Sequence, residues 1–412
     1  MVNGWTANQY RLYRALLGTY LFMHFAQLLP WAGDVFSTAG MLPDATQSPL
    51  FGIIPNVLAL VDTPQFLIGL VTAGAVASIG FACGYRDKLA AVFLWYVLAC
   101  LFGRNPLIAN PALPYVGWML LAHLLVPRLP RGPLPEMATS SSSRNWEMPR
   151  PLFAAAWIVL ALAYSYSGYT KLLSPSWVSG DAISYVLQNP LARDYFLRDW
   201  FLALPDGALP ILTWSVMGIE LVFAPLALFR RMRPMLWSVM FAVQIGFLCL
   251  LNFADLTTPM LLFHLLTFDP AWIPAKEPHS EELIFYDGTC GLCHRVVRFV
   301  LAEDRVGKFA FSPLQGETFK QTVNEKIRKE LPDSFVVVDQ FGRLLLRSDA
   351  VIHISTRLGG LWKVLGTLLA VAPRWVRDGG YALVGAIRHR LFANPDGYCP
   401  TVPPELRVRF VR

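Results

Sequence analysis

Eight stretches of this chain are apolar for long enough to cross a lipid bilayer or nearly so, and that limits what its first two thirds can become. They run over roughly 9–31, 65–84, 89–106, 112–127, 151–172, 208–229, 234–254 and 257–273. A spanning helix needs about 20 mostly apolar residues, and helices satisfy their own backbone groups inside hydrocarbon. Only 15% of the 412 residues are charged against 55% hydrophobic, where a soluble domain carries about 25% charged residues. The reading is a polytopic α-helical membrane bundle of about eight spans with a soluble appendage. No short apolar segment ending in a small-residue cleavage site opens the chain, so no signal peptide is expected.

Basic residues set the expected orientation. Arg86, Lys88, Arg128, Arg131, Arg144, Arg150, Arg230, Arg231 and Arg233 fall in one set of loops, against Arg104, Arg193 and Arg198 in the other. Loops rich in Lys and Arg stay cytoplasmic. The expectation is an integral membrane protein, of the bacterial inner-membrane type, with its N-terminus and C-terminal domain in the cytoplasm and the loop 32–64 outside.

After the last apolar stretch the character changes. Leu283 to Tyr286 reads as an apolar strand, Asp287-Gly288 as a turn, and Cys290 and Cys293 are spaced C-x-x-C before an amphipathic helix. A thiolate at a helix N-terminus meets unpaired N–H groups and the positive end of the dipole, which lowers its pKa. Cys290 is therefore the expected exposed nucleophile. Cys293, one turn deeper, would resolve a mixed disulfide, and Asp287 would tune proton transfer near the pair. Three other readings stay open: a zinc site with His294 and Cys399, a haem attachment through the Cys290–His294 C-x-x-C-H pattern, and a pair of inert core thiols. Cys83, Cys100 and Cys249 lie in apolar runs and read as small core residues. Cys399 reads as an inert cysteine, with a third redox thiol as the alternative.

A strand over Lys308 to Pro313, a helix over Glu317 to Glu330, a hairpin around Gln340-Phe341-Gly342 and a helix over Ala350 to Leu358 complete a β-α-β-α-β-β-α order, which is thioredoxin-like. Pro332 falls where such a fold wants a cis-proline, with a plain helix stop as the alternative. Leu361 to Ala372 is too short to span. With Arg374, Arg377, Arg388 and Arg390 after it, this segment reads as helices that dock on a membrane surface. Residues 275–412 hold 20 Lys and Arg against 15 Asp and Glu, a balance of +5. Attraction to anionic lipid fits this balance, and nucleic acid is not an expected partner.

Two family resemblances sharpen these readings. Tyr286-Asp287-Gly288-Thr289-Cys290-Gly291-Leu292-Cys293, then Pro313-Leu314-Gln315, Arg347-Ser348-Asp349-Ala350 and Arg407-Val408-Arg409-Phe410 resemble the DCC family of thiol-disulfide oxidoreductase-like proteins over about 281–412. That resemblance implies a C-terminal α/β thioredoxin-like domain working on thiol or disulfide partners. Gly168-Tyr169-Thr170-Lys171-Leu172, with Trp177 and Gly180, resembles the membrane domain of vitamin K-dependent gamma-carboxylase and the wider HTTM family. Gly40-Met41-Leu42-Pro43, Trp214 through Glu220 and Phe253 through Pro270 extend this likeness over about 5–274. It implies Lys171 as a base and a cavity for a quinone or vitamin K-like hydroquinone near Lys171, Trp177, Glu220, Arg104 and Asn105. On composition alone Lys171 reads instead as an interfacial lysine with Trp177 as an aromatic anchor. Where the carboxylase has a functional histidine, this chain has Arg104-Asn105-Pro106, and the carboxylase's lumenal substrate-binding domain is missing.

Glu220, an ionisable residue inside a span, faces the bundle interior by expectation. Arg11, Arg14 or His24 would be its partner if its role is structural; a proton relay is the alternative. His123 and His264 read as hydrogen-bonded structural residues. The expected organisation is a membrane domain over 1–274, a linker over 275–280 and the dithiol domain over 281–412. The expected activity is membrane-bound thiol–disulfide exchange with a lipid-soluble partner. The alternatives are a carboxylase-like enzyme whose dithiol recycles its cofactor, and a non-catalytic scaffold.

Overall fold

A computed structural model describes residues 3–108, 110–129, 146–275, 281–331, 335–391, 402 and 404–411. The chain forms two compact units. One holds Tyr10–Val126 and Pro149–Phe268; the other holds Val2–Gln9, Pro127–Met148 and Asp269–Arg412. The second unit therefore starts upstream of the expected linker and includes the residues that open the chain.

Each of the eight apolar stretches is helical: α1 Ala7–Leu28, α2 Pro64–Cys83, α3 Asp87–Arg104, α4 Leu113–Leu125, α5 Arg150–Leu172, α6 Ala208–Leu221, α7 Arg233–Leu250 and α8 Ala254–Thr267. Among the described residues, α2, α5 and α7 are the helices both long and apolar enough to cross a membrane. Polar residues such as Arg11, Arg14, His24 and Gln27 dilute α1, while α3 carries Asp87, Lys88 and Arg104. α4, α6 and α8 are short, and the expected span 208–229 breaks at Val222, where a separate turn, Phe223–Ala227, begins.

Small residues let these helices meet closely. A Cβ on Gly18 of α1 would lie 2.7 Å from the Ala82 side chain of α2, and one on Gly168 of α5 would lie 2.4 Å from the Leu221 backbone nitrogen of α6. Gly84 ends α2 at φ 81°, where glycine costs least. Its missing side chain leaves room for the Arg14 guanidinium, which bonds Asp87 at 3.0 Å.

The second unit is built on a four-stranded sheet in the order β2-β1-β3-β4, from β1 Glu282–Tyr286, β2 Phe309–Pro313, β3 Val336–Val338 and β4 Leu344–Leu346. β1 runs parallel to β2 and antiparallel to β3, which is antiparallel to β4. Alternation along β1 sorts the core, since successive strand side chains point to opposite faces. Ile284 and Tyr286 join Val297, Val300 and Leu301 of α9 (Gly291–Glu303), whereas Phe285 joins Phe319 and Val323 on the other side. The expected second helix is split into α10 Glu317–Thr322 and α11 Glu325–Glu330. Asp339 forms the hairpin turn by accepting from the Phe341 and Arg343 backbones at 2.9 Å. Three helices follow: α12 Arg347–Leu358, α13 Gly360–Val371 and α14 Arg374–Leu391.

Two polar clamps close this unit. Arg409 bonds Asp304 and the Phe309 carbonyl, fixing the C-terminal segment along β2, where the Phe311 N–H donates to the Arg409 carbonyl at 2.8 Å. At the end of α9 the buried Glu303 carboxylate accepts from Thr6 Oγ1 and Asn8 Nδ2 at 2.8 Å each and from Trp362 Nε1 at 2.6 Å. Burial pushes the Glu303 carboxyl above its usual value, against the pull of those three donors.

The α5–α6 crossing should tolerate no side chain. Gly168→Ala is expected to cost about 1–3 kcal/mol through overpacking against backbone, measured as a drop in thermal midpoint of the purified protein in detergent. An unchanged midpoint would contradict that close approach.

Candidate functional site

The dithiol sits where β1 hands over to α9. Cys290 is the N-cap residue of α9, in extended backbone at φ −103° and ψ 116°, and its carbonyl accepts the first helical bond from His294 N–H at 3.1 Å. Cys293 follows one turn later. The preceding loop is pinned by Asp287, whose Oδ1 accepts from Thr289 N–H at 2.9 Å, Thr289 Oγ1 at 2.7 Å and Gln315 Nε2 at 3.1 Å. Gln315 returns a bond from Gly288 N–H to its own Oε1 at 3.2 Å. Asp287 thus holds the shape of the loop. These bonds keep its carboxyl below the usual range, against the opposing effect of burial.

The two thiols differ sharply. The hydrogen bond from the Cys293 thiol is the largest influence pulling Cys290 down, from 9.0 to about 6. Burial opposes it; the backbone N–H groups of Cys293 and Leu292 and the charge of Arg388 assist. Cys293 moves the other way, raised by that same hydrogen bond, by burial and by the Cys290 charge. One sulfur is a thiolate near neutrality and the other keeps its proton, as a nucleophile and a resolving thiol require.

The expected exposure of Cys290 is not found: it is 1% exposed and Cys293 3%. Residues from far along the chain cover them. Val402 and Leu406 join their cluster, and Arg388 of α14 comes to 3.8 Å from Asp287 Oδ2. Arg388 is the group that sequence reasoning missed as part of the site. Its basic neighbours suggested a lipid-facing helix, yet Arg388 is buried and Arg377 bonds Asp349. Beside the pair lies an apolar cavity of about 500 Å³, walled by Cys293, Val296, Phe335, Val351, Val384 and Gly385 among others. Pro332 and Cys399 lie outside the described residues, and among the described residues no three His, Cys, Asp or Glu side chains form a metal-binding group.

In the helical unit a second group converges. The Lys171 ammonium bonds the Glu220 carboxylate and Ser167 Oγ, the latter at 2.9 Å, and lies 4.6 Å from the Trp177 ring centroid. Gly168 explains the meeting, because it lets α6 come close one turn before Lys171. Glu220 therefore pairs with Lys171 rather than with Arg11, Arg14 or His24; Arg14 binds Asp87 and His24 binds Asp255. Arg104 and Asn105 have other partners: Arg104 is buried beside Asp62 at 3.4 Å, and Asn105 donates to the Val35 carbonyl at 2.7 Å. His123 bonds the Tyr10 hydroxyl at 2.9 Å and His264 that of Tyr164 at 3.1 Å.

A C-x-x-C pair capping a helix that leaves the central strand of a mixed sheet is the arrangement of a thiol–disulfide oxidoreductase domain. The comparisons agree. Residues 284–394 match the DCC1-like thiol-disulfide oxidoreductase family. The protein YuxK of Bacillus subtilis is 29% identical over 137 residues, covering 33% of this chain and 98% of YuxK. A chloroplastic DCC family protein of Arabidopsis thaliana is 30% identical over 129 residues, covering 30% of this chain and 75% of that protein. The chain belongs to the DCC family through this C-terminal domain. No solved structure matches it significantly.

The thiolate is directly measurable. The 240 nm absorbance difference between the reduced protein and its Cys290→Ser variant should titrate with a midpoint of about 6. Arg388→Leu should raise that midpoint, because a cation favours the charged form. A midpoint in the ordinary thiol range of about 8.5 would refute the assignment of Cys290 as the thiolate.

Proposed function

We propose that the protein is a membrane-bound thiol–disulfide oxidoreductase in which Cys290 attacks and Cys293 resolves. The observation that carries this reading is the opposite displacement of the two thiols at the start of α9. The Cys290 thiolate attacks one sulfur of a substrate disulfide, and the leaving sulfur departs as a thiolate that takes up a proton. Cys293 then gives up its proton and attacks Cys290, releasing the second substrate thiol. Two electrons pass to the substrate, and Cys290–Cys293 is left as a disulfide. Because both sulfurs are covered, the substrate must reach them past the α14 wall. The cavity against Cys293 suits a small apolar arm.

The sheet order and the parallel β1–β2 pair support a thioredoxin-like reading of the domain. Helicity over all eight apolar stretches supports a polytopic bundle, and the basic loops favour the cytoplasmic side for the dithiol domain. The likeness of residues 5–274 to the carboxylase and HTTM scaffold draws support from Gly168, Lys171, Trp177 and Glu220, which meet in space. In this reading the Lys171–Glu220 pair is the place where a lipid-soluble quinone-like partner would exchange protons.

Reduced full-length protein should reduce dithiodipyridine, followed by thiopyridone release. Cys290→Ser should slow the reaction by about 100-fold or more, in keeping with loss of a nucleophile. Cys293→Ser should trap the mixed disulfide on Cys290, visible by mass. Gly385→Leu fills the cavity from a position where an added Cβ meets nothing within 4 Å; it should slow the reaction without unfolding the protein. Wild-type rates in Cys290→Ser would overturn the proposal.

A further inference from the structure

The helical unit contains a cavity of about 360 Å³ bounded by α1, α3, α4 and Phe36. It shares no lining residue with the dithiol site or the Lys171–Glu220 pair. Its walls are aromatic and aliphatic, with Phe36, Trp95, Phe102 and Trp118 contributing the rings. Apart from the two indoles, the polar side chain in the lining is His24, itself 6% exposed.

His24 is held in a defined state. Its Nδ1 lies 3.0 Å from both carboxylate oxygens of Asp255. Asp255 also accepts from the Tyr20 hydroxyl at 2.6 Å and from Asn110 Nδ2 at 3.4 Å. A carboxylate that accepts from a hydroxyl and an amide is an acceptor toward the imidazole as well, so Nδ1 carries the hydrogen. In the neutral ring Nε2 then presents a lone pair. A carboxylate behind a histidine fixes its tautomer and the orientation of the ring. Among the described residues no hydrogen bond to Nε2 is present. Nε2 is therefore the ring nitrogen left open to a donor that a ligand brings into the cavity, and a hydroxyl is the simplest such donor on an otherwise apolar molecule.

We propose that this cavity binds a flat, apolar aromatic alcohol, its ring system against Trp95 and Trp118 and its hydroxyl donating to His24 Nε2, with Asp255 as the positioning residue. The volume falls within the range of small-molecule sites, about 300–1,000 Å³. An acyl chain would fill the space but offers Nε2 no donor. An ether would match the shape and likewise lack the hydrogen.

The test uses the full chain in detergent, with 2-naphthol and 2-methoxynaphthalene as probes in equilibrium dialysis. A site built around a hydroxyl rejects the analogue lacking it. Wild-type protein should therefore bind 2-naphthol at least about tenfold more tightly than the ether. His24→Phe should erase that preference while keeping weak binding of both. Gly117 lines the cavity, and its added Cβ would meet Trp95 only at ordinary contact distance, 3.5 Å. Gly117→Leu should therefore abolish binding of both probes with the histidine intact, and it decides the matter if His24→Phe does not fold. Equal affinities in the wild type, no binding of either probe, a preference that survives His24→Phe, or binding that survives Gly117→Leu would each overturn the proposal.

Discussion

An anionic sulfur is tolerated inside this domain because the Cys293 thiol donates to it first of all, with the first-turn amides of α9 assisting. Burial alone would push the Cys290 thiol up. The N–H groups of Leu292 and Cys293, the Cys293 thiol and the Arg388 guanidinium reverse that trend together. Each donor depends on a different part of the unit: the helix on the strand that precedes it, the loop on the Asp287–Gln315 exchange, and Arg388 on α14. The thiolate is thus a property of the assembled domain. Its burial screens it from general solvent, while the adjoining apolar cavity reaches the pair through Cys293.

The helical unit follows a related logic. Where Gly168 and Gly84 remove side chains, polar groups that would otherwise be costly meet their partners: Lys171 with Glu220, and Arg14 with Asp87. Breaking one member of such a pair strands the other away from water, and the charge left behind makes up much of the penalty. Asp255 shows the same matching, with His24, Tyr20 and Asn110 around it.

Much of this was legible in the chain. The eight apolar stretches are helical, and three of them have the length and composition that a bilayer would require of a spanning helix. The strand–dithiol–helix order was readable because turn residues and period change mark each boundary. What stayed hidden depends on contacts between distant residues. Cys290 reads as exposed from its local context, but Arg388 of α14, and Val402 and Leu406 beyond it, arrive to bury it. Glu220 found Lys171 because Gly168 permits an approach that no periodicity encodes. Asp255 drew no notice, since a carboxylate in the first turn of a helix is ordinary.

The Glu303 clamp carries a consequence for biogenesis. Thr6 and Asn8 are synthesised long before the carboxylate they bind, which lies 297 and 295 positions downstream. Protein synthesis proceeds at about 5–20 residues per second, so the leading segment waits many seconds for its seat. During that interval the intervening helices emerge while Thr6 and Asn8 stay unclaimed. Completion of α9 is then the event that seats the segment holding Thr6 and Asn8, and a product cut short before Glu303 would betray itself by leaving that segment loose.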